Sequence, residues 1–502
     1  MSMRRKRIMY FLFSFVSLCM LIFLLKMVDN NTFLGLPIIN EDDLLGYTET
    51  TEFDISHMKY NGENIAVDFP SNSVFISQSV ENIKNIDSLA GGWVVSTNQN
   101  HSLAVLKSPC LENLSETAKE GKPIVLIILS EKEKMYKKVN LIITNLPILY
   151  LDFESNSEDD QGRNLNIGKM TLWTGDAASS GYKTVTGNAE WRLRGNSTRS
   201  FDKKAWKLNL RDESFQNKNM NLLGLGSDDD WILNPMSMDD TFIKEKLIQN
   251  LWEQVVSDTK YNYKMSKGEY IELFINGAYQ GLYLLQRRID MKYLELDQRQ
   301  DILLKGINTW EAENMNEGYE IVSTPLNEED TYSELESAMT FDNKNRINID
   351  NFIDVSLMLQ FISGYDNSGY KNMFYVLKKT DDRYNLYLVP WDTDLSFGVT
   401  WGYAYENSLN AIIQRQETKA VRENVEDYDF RTVKRWKELR GNILKEENIF
   451  RICDSLLEKL ESCGAVQRDQ KIWGKLHKEK DNYENLKKFI QERLSLLDAY
   501  YL

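Results

Sequence analysis

The stretch GEYIELFINGAYQGLYLLQRRID, residues 268–290, commits the middle of the chain to antiparallel sheet. Two β-rich runs meet at Asn276-Gly277, the dipeptide best suited to a two-residue turn whose central positions both need positive φ. A second hairpin follows in NMFYVLKK, TDDR and YNLYLV, residues 372–389. Helical patterns surround these sheets. DDTFIKEKLIQNLWEQVV places Phe242, Leu247, Ile248, Leu251, Trp252 and Val255 on one face, behind an aspartate cap. Another helix is predicted around 351–363, and the chain reads as helical from about 430 to its end. AEWRLRGNST and KKAWKLNLR read as strands flanking a glycine loop. The predicted class is therefore α+β.

A chain of 502 residues is too long for one core, so two or more domains are expected. From 63 to 146 short apolar runs alternate with turn residues: SVFISQSV, GWVVST, SLAVL, PIVLIIL and VNLIIT. This spacing predicts a small β-sandwich module without a catalytic cluster. Residues 27–62 are polar and acidic and predict a spacer. At the N-terminus, Arg4-Arg5-Lys6-Arg7 precede an uncharged run from Ile8 to Leu25, closed by Lys26. Eighteen helical residues span about 27 Å, close to a bilayer's hydrocarbon core. No small-x-small cleavage site follows, so residues 1–26 predict a retained anchor, with the basic cluster inside and the remaining domains outside the cell.

Without that anchor the chain carries −20, from 55 basic and 75 acidic residues. Such a surface repels phosphate backbones, which excludes nucleic acid as a partner and favours basic polypeptides. The three histidines (His57, His101, His477) are scattered. Cys19, Cys110, Cys453 and Cys463 show neither metal spacing nor a disulfide framework.

The acids carry more information. YLVPWDTDLSFG ends a β-rich run in Asp392 and Asp394, two residues apart. Asp366 lies in GYDNSGYKN, with Lys371 and Asn372 close behind. A hairpin of MFYVL and YNLYLV brings Asp366 and Asn372 back beside Asp392 and Asp394. Three carboxylates and an amide suit a hard cation such as Mg²⁺ (or Mn²⁺), completed by water and phosphate oxygens; a structural Ca²⁺ site or a solvated turn is the bland alternative. Phosphoryl transfer needs such ligands together with backbone amides over the phosphates, a cation on them, and a base for the attacking hydroxyl. The loop Arg194-Gly195-Asn196-Ser197-Thr198 offers amides. Lys203, Lys204 and Lys207 follow it.

RGNSTRSFDKKAWKLNL, DDWILNPMSMDDTFIKEKL, YIELFINGAYQGLYLL, GYDNSGYKNMFYVL and VPWDTDLSFG, in that order, resemble the CotH family of spore-coat-type atypical protein kinases. The resemblance covers 147–502. It implies a divergent protein-kinase-like fold that uses ATP and Mg²⁺ to phosphorylate Ser or Thr of surface or coat proteins. Carried over, Arg194 to Thr198 would cover the phosphates and Lys204 would hold them, with Lys207 as alternate. Asp366 would be the catalytic base, Asn372 a metal ligand, Asp392 the principal metal acid and Asp394 its support. Glu245 is a candidate partner for the lysine. The family commonly places glutamate just after the GLYLL strand, where this chain has Gln286-Arg287-Arg288. The competing class is a catalytically silent surface scaffold or adhesin on the same fold, and transfer of another group such as AMP is a third reading.

Overall fold

The two-residue turn forms as the sequence predicts. Ile275 pairs with Ala278, and Asn276 and Gly277 sit at φ 53° and 71°. In the computed structural model, which describes residues 32–502 apart from 61, 79–92, 96–100, 160–162, 176–181, 196, 240, 258, 308–314, 340–345, 400–404, 414 and 475–482, this hairpin belongs to a closed barrel. The barrel runs Ile148–Glu158, Asn164–Gly175, Tyr182–Leu193, Trp206–Arg211, Asp230–Asn234, Ala278–Arg287, Gly268–Ile275. Parallel pairing of Ile148–Leu151 with Glu272–Ile275 closes it, whereas its other neighbours are antiparallel. Closure leaves no exposed barrel edge. Inward-facing Leu151, Met170, Trp191, Leu208, Trp231, Tyr283 and Leu285 fill the interior. Each such side chain contributes about 1.5–3 kcal/mol on burial.

The predicted helix forms over Lys244–Ser257. Asp239 caps it, accepting the Thr241 N–H at 2.9 Å and the Lys244 N–H at 2.7 Å. Leu247, Ile248, Leu251 and Trp252 then join the largest core, which continues into the C-terminal half. There a sheet ordered Tyr319–Ser323, Ile302–Gly306, Met373–Thr380, Arg383–Pro390 packs with the Ile349–Ile362 helix. Helices Tyr428–Gly441, Glu446–Glu461, Ala465–Trp473 and Tyr483–Tyr501 complete the chain. The mixed α+β class is as expected.

The N-terminal module differs from its prediction. Its apolar runs are strands, but they join an eight-stranded mixed sheet in which Asn140–Thr144 lies parallel to Ser73–Ser77. A separate three-stranded sheet contains Met58–Tyr60. The supposed spacer is part of this fold: Ile38-Ile39 pair with Val105-Leu106, and Thr48-Glu49 with Met135-Tyr136. Phe33, Leu36, Phe53, Ile55, Met58 and Tyr60 are buried at irregular spacings, so a core segment carries no period to read. The module also grips the barrel. Phe69 N–H donates to the Gly277 carbonyl at 2.8 Å, and Tyr279 N–H to Asp68 Oδ1 at 3.0 Å. The anchor assigned to residues 1–26 lies outside the described residues; among those described, no helix is long and apolar enough to cross a membrane.

Candidate active site

The second hairpin sets the site. Met373 pairs with Pro390, and the Trp391 N–H donates to the Asn372 carbonyl at 3.1 Å, so the chain enters and leaves the sheet at one point. Asn367 clips both ends, donating through Nδ2 to the carbonyls of Asn372 at 3.0 Å and Trp391 at 2.9 Å. Asn372 and Asp392 sit at φ 56° and 54°. Asn and Asp tolerate this left-handed region better than other non-glycine residues, though still at a cost of about 1–3 kcal/mol each. Asn372 Nδ2 donates to Asp366 Oδ2 at 2.8 Å, and Lys371 Nζ stands 2.6 Å from Asp366 Oδ1.

These groups face a cleft of about 620 Å³ between the barrel and the second sheet. Asp366, Asn372, Asp392, Asp394 and Glu245 line it. Arg192, Arg194, Lys207, Arg288 and Lys305 line it too, an unusual density of cations in a chain of net charge −15. Burial pushes the Asp392 carboxyl up, against the pull of Arg194 and Lys305. Asp394 is pushed well above the usual carboxylate range by burial, then by Asp392 and Glu245. Burial and Asp392 also raise Glu245.

Crowded buried carboxylates are the situation a hard cation relieves. Among the described residues no three His, Cys, Asp or Glu side chains close on one point tightly enough to hold a metal. The donor set that fits is two carboxylates and the Asn372 amide oxygen, with water and phosphate oxygens supplying the rest, a pattern suited to Mg²⁺. Asp394→Asn is accordingly expected to raise the metal-free melting temperature by removing a carboxyl whose ionisation burial and Asp392 oppose, and to shrink the further rise on adding Mg²⁺. Thermal melts with and without Mg²⁺ check this; a lower metal-free midpoint would show that Asp394 is held by native contacts instead.

Two expectations change. Lys204 does not line the cleft: its Nζ donates to the carbonyls of Arg199 at 2.9 Å and Phe201 at 2.5 Å. The strand begins only at Trp206, so strand alternation does not govern residues 203 and 204. Lys203 is buried against Asp469. Lys207, inside the strand, does line the cleft, 3.0 Å from Asp230. Glu245 makes no ion pair with Lys204 or Lys207 among the described residues. Its carboxylate accepts from Gln249 Nε2 at 3.3 Å, Gln286 Nε2 at 3.2 Å and Thr393 Oγ1 at 3.0 Å. Gln286, the departure noted in the sequence, is thus a donor to Glu245, where glutamate would add another buried carboxylate.

Arg194 and Gly195 follow the Tyr182–Leu193 strand and line the cleft, with Gly195 at φ 91°. Ser197 and Thr198 belong to a single 3-10 turn, Ser197–Ser200, and Asn196 lies outside the described residues. Sequence reasoning missed Lys305 and Thr393; Arg288, marked in the sequence as part of the Gln286-Arg287-Arg288 departure, does line the cleft. Lys305 sits in the plain strand ILLKG, and only a charge amid apolar neighbours marked it.

No curated protein matches the chain. A family model described as CotH kinase protein matches residues 191–497, and so takes in every cleft residue named above. That span is more than half of the sequence, and the chain belongs to the CotH family.

Proposed function

We propose that the protein is a membrane-anchored atypical kinase that transfers the γ-phosphate of ATP to Ser or Thr of basic surface or coat proteins. One observation carries this reading: a single cleft is lined both by crowded carboxylates and by several cations. A polyphosphate chelating a divalent cation complements both at once. In this reading the fold is a divergent kinase fold, with the barrel as its nucleotide-side lobe. Magnesium, held by Asp392, Asp394 and Asn372, would offset the charge on the transferred group. Arg194, the Gly195 backbone and Lys207 would hold the phosphates. Asp366 would take the hydroxyl proton as the substrate oxygen bonds to the γ-phosphorus and the bond to the ADP oxygen breaks. The −20 balance of residues 27–502 favours a basic, Ser/Thr-rich substrate, and residues 1–26 would hold the enzyme at the cell surface.

The purified chain, incubated with γ-labelled ATP, Mg²⁺ or Mn²⁺ and a basic Ser-rich protein, is expected to label serine or threonine. Label arriving from the α-position instead would mean nucleotidyl transfer. Substrate binding with no label from either position would leave a silent scaffold.

A further inference from the structure

Most cations of the cleft are already paired. Lys207 and Arg288 share Asp230, at 3.0 and 2.8 Å. Lys371 holds Asp366, and Arg163 and Arg192 meet Asp159. Arg199 stands exposed at the rim. Two cations differ. Arg194, at the end of a barrel strand, and Lys305, on the Ile302–Gly306 strand of the second sheet, are half-buried and make no ion pair among the described residues. They repel each other; Asp392 draws on both, Asp230 also on Arg194, and Glu320, the cross-strand neighbour of Lys305, on Lys305. Removing two like charges from water is unfavourable unless negative charge meets them. Asp230 is already shared by Lys207 and Arg288, Glu320 is exposed, and Asp392 is the acid proposed to serve the metal.

Each is held in place by its surroundings. The Arg194 guanidinium lies 5.8 Å from the Trp391 ring, a contact that orients its plane. Lys305 pairs across the sheet with Phe374, and at the next residue, Gly306, a Cβ would stand 1.7 Å from the Tyr370 carbonyl oxygen. The Lys305 strand is therefore pressed onto the loop that carries Asp366 and Asn372.

We propose that Lys305 and Arg194 form a two-sided clamp for a polyphosphate anion, one cation supplied by the barrel and the other by the second sheet. Arginine offers a planar fork to two phosphate oxygens, and lysine a compact charge to a third. The identification of the anion with the nucleotide's phosphates rests on the phosphotransfer reading above. With Lys204 turned to backbone carbonyls, the clamp adds to Lys207 a second lysine from across the cleft.

The test is titration calorimetry of the full chain with inorganic tripolyphosphate, free of divalent metal, for the parent, Lys305→Met, Lys305→Arg and, as a remote charge control, Lys488→Met. Methionine keeps most of the side chain's length and apolar contacts. Loss of one charge-assisted contact is expected to weaken binding about tenfold in Lys305→Met. Lys305→Arg should stay close to the parent, and Lys488→Met should match it. Failure of the parent to bind tripolyphosphate overturns the clamp, as does parental affinity in Lys305→Met or an equal loss in Lys488→Met. If the pattern holds for tripolyphosphate while no label passes from ATP to protein, the clamp stands and the kinase reading falls.

Discussion

Asp366→Asn is expected to lower phosphotransfer by roughly 10²–10⁴-fold, the usual scale for a general base, while ATP affinity stays near that of the parent. The geometry separates these two quantities. Asp366 lines the cleft, but the cations proposed to hold the phosphates lie on the barrel and the neighbouring strand. Asparagine keeps the shape, and its amide oxygen can still accept from Asn372 Nδ2, so the loop that Asn367 clips should persist. What it loses is a site for the hydroxyl proton. Asp392→Asn should behave differently, losing activity, metal affinity and nucleotide affinity together. Rates and ATP titrations on both variants check the pair. A parental rate in Asp366→Asn would remove it as the base, and a joint loss of affinity would reassign it to the metal.

Local chemistry made parts of this molecule readable. Asn276-Gly277 fixes a turn that few other dipeptides allow, and two residues at positive φ are what the structure shows. Convergence of Asp366, Asn372, Asp392 and Asp394 followed from one hairpin, because antiparallel pairing returns the chain to where it began. Barrel closure had no such signal. Its final pairing joins Leu149 to Leu273, more than a hundred positions apart, and nothing local distinguishes a strand that closes a barrel from one at an edge.

The lysines show where pattern rules stop. Alternation assigns faces only inside a strand, and Lys203 and Lys204 precede one, in a bend whose carbonyls capture Lys204. Lys305 is legible only once the second sheet is set beside the barrel, since the cleft exists only between them. Glu245 was picked out for the right cleft and the wrong partner: three polar donors, including Gln286, occupy its carboxylate.

Lys203→Met is expected to destabilise the protein by about 3–5 kcal/mol, the scale for leaving one member of a buried ion pair alone. Lys203 is 1% exposed, and its Nζ donates to Asp469 Oδ2 and to the Leu282 carbonyl, both at 2.6 Å. Asp469, on the Ala465–Trp473 helix, also accepts the Leu282 N–H at 2.8 Å. A Cβ at Gly281 would meet the same carboxylate oxygen at 2.3 Å, so backbone, lysine and helix close on one point. The pair thereby ties the segment after the glycine loop, through a barrel strand, to a C-terminal helix. Burial already pushes the Asp469 carboxyl up, opposed chiefly by Lys203. Without the lysine that opposition is gone, and the folded-state pKa rises further above its unfolded value. The deficit should then be small in acid, where the carboxyl is protonated in both states, and grow as pH rises through the raised folded-state value. Lys203→Met with Asp469→Leu should recover much of the loss, since no charge is left buried. Urea unfolding of the two variants and the parent at two pH values measures all of this. A single variant within about 0.5 kcal/mol of the parent, the range of ordinary surface substitutions, would mean that this pair does not hold the helix to the barrel.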